Sequence, residues 1–266
     1  MPIVCEQHVP VLTQDEFHAI DYEVMEQVFS VHNDLGRFHD EAIYQREILW
    51  RCKQMGFESV GAEIPIHVSY DDFRKTYFVD LVVCGALYEL KAARTISGRH
   101  KKQALNYLFL LGLHHGKVVN MRPESVESAF VSTRLTHQRR RDFQLVDEHW
   151  NARDEHAIWL KELVLSLLVE WGGFLDIELF CDAVCHFRGE GGQGYQAIEV
   201  VSGSRVIGTQ KTHLLSSTIG LKFSAISTDP KHYGRHLHRF LNHSKLEAIH
   251  WVNLNRQRVE FRTIRR

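Results

Sequence analysis

Apolar positions recur along this chain with two periods. Between Val31 and Gly56 the spacing is helical, with Ile43, Ile48 and Leu49 among the apolar positions and Gly56 as a stop, so one amphipathic helix is predicted there. Alternation with a period of two then takes over. AEIPIHVSY and RKTYFVDLVV flank the Asp71-Asp72 pair and predict a hairpin, and a third strand runs through ALYELKA after a turn near Cys84 to Ala86. RHKKQALNYLFLLGL returns to helical spacing, and KVVNM and VESAFVS read as short strands. The predicted order is helix, three strands, helix, strand.

Periodicity fades between Thr136 and Ala157, where Arg139, Arg140 and Arg141 stand together, and residues 136–154 are read as a linker. Domains are therefore expected over residues 1–135 and 155–266. Beyond the linker, helical matter, three strands, a helix and a closing hairpin repeat the first order. Sliding the chain by 133 residues aligns Ala62–Thr133 with Tyr195–Arg266 without a gap and gives 12 identities in 72 pairs. Ordinary composition gives roughly 4 such identities by chance. The expected fold is α/β, with an αβββαβ core duplicated in a second lobe.

The chemistry sits where the second and third strands meet. Asp80 lies in one apolar strand, and Glu89, Leu90 and Lys91 close the next. Strand alternation puts Glu89 and Lys91 on one face and Leu90 on the other, and a hairpin brings Asp80 towards Glu89. A phosphodiester repels nucleophiles by its own charge, so its hydrolysis calls for a divalent ion where negative charge develops. Asp80 and Glu89 are hard oxygen ligands for Mg²⁺ or Mn²⁺, the Leu90 carbonyl can join them, and Lys91 can orient or deprotonate a water. Glu41 and Tyr44 share one helical face, as do Gln103 and Tyr107. For Glu41 the alternative is a solvated face charge. For the tyrosines it is half-buried packing with a wet hydroxyl. The register that aligns the halves sets His213 at Asp80, Lys222 at Glu89, Ser224 at Lys91, His236 at Gln103 and Phe240 at Tyr107, which predicts a degenerate second lobe without metal ligands.

Residues 20–135 resemble the PD-(D/E)XK nuclease superfamily, and within it the GxxExxY proteins. The likeness rests on HNDLG with Glu41 and Tyr44, on Asp80, on Glu89-Leu90-Lys91, and on Gln103 with Asn106 to Leu108. It implies a restriction-endonuclease-like αβββαβ core, a Mg²⁺ site on Asp80 and Glu89, Lys91 as catalytic lysine, and Glu41 and Gln103 as helical supports. The glycine that names the motif is Phe38 here, with Gly36 two residues earlier.

Composition changes this picture little. The net charge of -1 argues against strong nonspecific DNA binding. By count, residues 1–135 carry 14 Lys and Arg against 18 Asp and Glu, whereas the rest carry 18 against 15. The second lobe is thus the more basic, and with Arg256, Arg258 and Arg262 it is read as an aid to substrate binding or as a stand-in for the second subunit of a dimer. The expected partner is nucleic acid, DNA before RNA, and the two lobes form an intramolecular pseudo-dimer, with homo-oligomerisation left open. A non-catalytic nucleic-acid-binding or scaffold protein on the same fold is the alternative. Five scattered cysteines suit reduced thiols, and the chain lacks an apolar run of membrane length or a leader pattern, so a cytoplasmic protein without membrane partners is expected. GEGGQG, residues 189–194, lacks the lysine of a phosphate loop and reads as a turn.

Overall fold

The computed structural model describes residues 2–189 and 195–266, so the GEGGQG turn lies outside them apart from Gly189. The chain divides into two compact units, residues 1–137 and 138–266.

Unit 1 holds one six-stranded sheet in the order β1-β2-β3-β4-β5-β6. Its strands are β1 (Ile3–Cys5), β2 (Val60–Tyr70), β3 (Phe73–Val83), β4 (Ala86–Lys91), β5 (His115–Asn120) and β6 (Glu127–Ser132). Neighbours are antiparallel except β4 and β5, which run parallel because α3 (Gly98–Leu111) carries the chain across between them. Ser97 and His100 form a capping box at the start of α3, and Gly112 closes it in a left-handed turn.

The single helix expected over Val31–Gly56 is two helices, α1 (Gln14–Leu35) and α2 (Glu41–Gln54). Gly36, at φ 71°, ends the first, and Phe38 is exposed in the connection. The break lets α1 and α2 bury Phe17, Val28, Tyr44 and Ile48 together against Leu81, Tyr88 and Leu90 of the sheet. Leu90, 1 % exposed, contributes about 2 kcal/mol in this way. The opposite face takes α3, where Leu108 sits so close to Gly116 that a Cβ there would lie 3.2 Å from it.

Unit 2 holds α4 (Glu155–Trp171), α5 (Ile177–Phe187), β8 (Gln196–Ser202), β9 (Arg205–Leu214), β10 (Ile219–Ser224), α6 (Pro230–Asn242), β11 (Ala248–Asn255) and β12 (Arg258–Arg265). This is the α1, α2, β2, β3, β4, α3, β5, β6 series over again, with the one parallel step of that series again spanned by a helix. With β7 (Gln144–His149) at one edge, the sheet order is β7-β12-β11-β10-β9-β8.

The stretch expected to be a linker is instead built into unit 2. β7 (Gln144–His149) pairs parallel with β12. Arg140, 1 % exposed, donates to the carbonyls of Trp171 and Gly173 at 3.1 Å each, where α4 ends. An arginine run that looks solvated supplies a C-terminal cap, because the last carbonyls of a helix need a donor.

The two sheets share register as well as order. Lys91 pairs with Asn120, and Ser224 with Asn253, both displaced by 133 residues (91 to 224, 120 to 253). Asn120 pairs with Glu127, and Asn253 with Glu260, again at that displacement (127 to 260). One strand departs from the gapless alignment. Leu81 faces Tyr88 in unit 1, but His213, not Leu214, faces Leu221 in unit 2. β9 is slipped by one residue, so extending the ladder sets Thr212 rather than His213 opposite Lys222.

All five cysteines are free thiols. Among the described residues no helix is long and apolar enough to cross a membrane.

Candidate active site

β4 ends with Glu89 and Lys91 on the face that α3 covers, and the β3–β4 hairpin brings Asp80 beside them. The hairpin turns through Cys84 and Gly85, both at positive φ. A Cβ on Gly85 would lie 2.8 Å from the Pro10 carbonyl, so only glycine fits there.

Four oxygens surround the Lys91 ammonium. Nζ lies 2.6 Å from Glu89 Oε1, 3.2 Å from Glu41 Oε1 and 3.7 Å from Asp80 Oδ2, and it donates to the Leu90 carbonyl at 2.6 Å. Asp80 Oδ2 also accepts from the Leu90 amide at 2.7 Å, which locks the carboxylate to the neighbouring strand. Glu41, at the first turn of α2, accepts from the Ala92 amide with its other oxygen at 3.1 Å. Glu89 is fully buried, and neither of its carboxylate oxygens accepts a hydrogen bond, so the close approach of Lys91 is an ion pair without hydrogen-bond alignment.

This donor set suits a divalent cation. A buried carboxylate is costly unless charge and hydrogen bonds complete it, and here Lys91 meets one oxygen of Glu89 while the other has no partner. Among the described residues no three His, Cys, Asp or Glu side chains form a metal cage. An ion here would thus be held by Asp80, Glu89, the Leu90 carbonyl and water, the sparse protein ligation that Mg²⁺ favours.

Burial pushes the Asp80 carboxyl up to about 6 against the pull of Lys91 and the Leu90 amide. Burial, and then the charge of Asp80, pushes Glu89 up to about 8. Burial alone would lower Lys91, but Glu89, Asp80 and Glu41 together raise it, so the ammonium stays charged at neutral pH. In this state Lys91 is a donor and electrostatic partner rather than the base that its position suggested.

The remaining candidates divide. Gln103 donates to the Tyr107 hydroxyl at 3.2 Å, and Tyr107 packs edge-on against Tyr77. Burial raises the Tyr107 phenol to about 12, and the charges of Glu89 and Asp80 act in the same sense, which sets this pair beside the acids. The Tyr44 hydroxyl donates to the Gly36 carbonyl at 2.7 Å and accepts from the His39 amide, so it fastens the α1–α2 connection. Glu41 needs that connection in place to reach Lys91.

Three contributors escaped the sequence reading. Gln45, one helical turn beyond Glu41, donates to the Asp80 carbonyl at 2.7 Å and to Glu63 Oε1 at 2.6 Å. Its spacing from Glu41 was the available signal. Glu63 sits at φ 51° in β2, between the paired residues Ala62 and Ile64, and its charge acts on Asp80. Asn120, fully buried, donates to the Ala93 carbonyl at 2.8 Å and accepts from the Ala93 amide at 3.0 Å, pinning the chain just after Lys91.

Unit 2 closes the corresponding place. Ser224, in the register position of Lys91, accepts from Trp251 Nε1 and donates to Asn253 Oδ1, both at 2.8 Å. Asn253 grips Ile226 through N–H and carbonyl at 2.8 and 3.0 Å, as Asn120 grips Ala93. Lys222 and Thr212 stand where unit 1 has Glu89 and Asp80.

Residues 18–131 match the family model of the PD-(D/E)XK nuclease superfamily. No curated protein and no solved structure matches the chain. The match spans the whole of the acidic site.

Proposed function

We propose that unit 1 is a Mg²⁺- or Mn²⁺-dependent phosphodiesterase acting on nucleic acid, with DNA as the first substrate and RNA as the second. The superfamily match is the premise, and one observation carries the reading: fully buried Glu89 is met by Lys91 at one oxygen only, and it stands beside Asp80 and the Leu90 carbonyl. The GxxExxY branch is favoured by Glu41 and Tyr44, with Gly36 supplying the glycine turn that Phe38 lacks.

Asp80, Glu89 and the Leu90 carbonyl would hold the ion, which when bound polarises the phosphoryl group and lowers the pKa of its water. The chain's own residues do the rest. Lys91, kept charged by three carboxylates, donates to the water or to a phosphoryl oxygen. Glu41 ties Lys91 to the Ala92 amide and so fixes the end of β4. Gln45 holds the Asp80 backbone, while Gln103 and Tyr107 offer a polar edge towards the substrate. Unit 2 is read as a duplicated, non-catalytic copy of the same fold, since a lysine and a threonine replace the acids and Trp251, Ser224 and Asn253 fill its centre.

The experiment is cleavage of labelled single-stranded, duplex, flapped and RNA substrates with Mn²⁺ or Mg²⁺, and with a chelator. Cutting that the chelator abolishes is expected. Binding without cutting under every metal condition would favour the scaffold alternative.

Cation affinity should depend on pH. Asp80 and Glu89 titrate as a pair from about 6 to about 8, and protons must leave before an ion binds. Their raised values mean that the folded state holds more protons than the unfolded chain between roughly pH 4 and the folded values, so metal-free stability falls as pH rises through that window. Bound metal offsets this loss. The rise in Tm on adding Mn²⁺ is therefore expected to be larger at pH 8 than at pH 6; an equal rise at both would contradict the assignment.

A further inference from the structure

Unit 2 carries a polar cavity of about 530 Å³ for which the catalytic reading has no use. It opens where the chain leaves β10 and where β11 turns into β12, with Ser227, Asn255, Arg256 and Arg258 in its wall. This is the sheet end that in unit 1 holds Lys91, and the shared register puts Ser227 at Arg94 and Asn255 at Arg122. Both units thus bring arginine to one structural edge, from different sequence positions.

The wall is built of donors. Besides the two guanidiniums it offers the amides of Gln144, Gln257 and Asn255 and the Ser227 hydroxyl, against one carboxylate, Asp142. Arg256 makes no ion pair among the described residues. Arg258 is 3.9 Å from Glu260, but Glu260 is already bonded by Arg262 Nε at 2.7 Å. Two guanidiniums with little carboxylate compensation, framed by neutral donors, suit an anion with several oxygens.

The backbone adds a second, independent observation. Arg256 sits at φ 50° in the two-residue turn between paired Asn255 and Arg258. Asn or Gly holds that conformation readily, whereas arginine does so at a cost of about 1 kcal/mol. A strained residue whose guanidinium lines a cavity points to use of the side chain.

We propose that this cavity binds phosphate groups, with Arg256 and Arg258 as the charged donors, and that the phosphate is that of a polynucleotide backbone lying along the sheet end. The volume exceeds what a lone phosphate needs and accommodates a nucleotide unit. Loss of the acids from unit 2 removes the repulsion that a phosphate would meet in unit 1. Only the choice of a polymer rests on the nucleic-acid reading of unit 1.

The test uses the full chain with chelator present, so that cleavage plays no part. Anisotropy of a labelled single-stranded and a labelled duplex oligonucleotide is followed over a salt series for the wild type and for Arg256→Asn/Arg258→Gln. Asn relieves the turn, so an unchanged or raised Tm verifies folding. Expected is a loss of affinity of about tenfold, with the slope of log affinity against log salt smaller by about two for duplex. AMP and inorganic phosphate titrations form the second arm. If these alone weaken in the variant, the site takes free phosphates and the polymer assignment is overturned. If neither arm changes, the phosphate site itself is refuted. Because metal is withheld, a wild type that binds but never cuts when metal is restored counts against the catalytic reading of unit 1 and leaves this one standing.

Discussion

Glu89→Gln is expected to lower Mn²⁺-dependent cleavage by roughly 10³-fold, the scale of removing one preorganised electrostatic contributor from a catalytic site. Glutamine matches the volume of the fully buried side chain, so the change removes charge and leaves packing nearly intact. The neutral amide cannot supply the second anionic ligand, and Lys91 loses its nearest carboxylate, 2.6 Å away. The same variant should lose the Tm rise that Mn²⁺ gives the wild type. Cleavage within a factor of a few of wild type would remove Glu89 from the site.

The second large effect is on stability. Asn120→Ala leaves the Ala93 amide and carbonyl without the partners they now have at 3.0 and 2.8 Å, and strips Glu127 of a donor at 3.1 Å. Two half-buried backbone groups that lose their partners cost about 2 kcal/mol together, read as a lower urea midpoint at unchanged slope. Asn253→Ala is expected to cost a similar amount, since Ile226 is held in the same way and Ser224 also donates to Asn253. A loss below about 1 kcal/mol for both would show that water replaces the amide in each clamp. A loss at only one of them would show that the two units do not depend on the same device.

The gathering of Asp80, Glu89 and Lys91 was legible because it depends on short-range rules. Period-two alternation fixes which of Glu89, Leu90 and Lys91 share a face, and a hairpin fixes the approach of Asp80. Glu41 was legible through helical spacing alone, and its contact with Lys91 closes the set. What escaped depends on tertiary partners. Arg140 reads as solvated until the carbonyls at the end of α4 are known to need it, and Leu145-Val146 is too brief an apolar run to announce β7 before β12 is there to pair with it. Tyr44 has the right spacing for catalysis, yet its hydroxyl is taken by a turn eight residues upstream in the chain. The slip of β9 is invisible to a gapless comparison, because a residue lost on one side of the strand is regained on the other.

The Lys91 ammonium has a consequence for how the protein exists before it works. Three carboxylates, two of them largely buried, would push one another apart, yet here a tethered cation stands among them. Unit 1 can therefore fold and persist without scavenging an ion. On the proposed reading, an incoming metal would compete with a charge that is covalently attached and always present. The resting protein is in that sense self-neutralised.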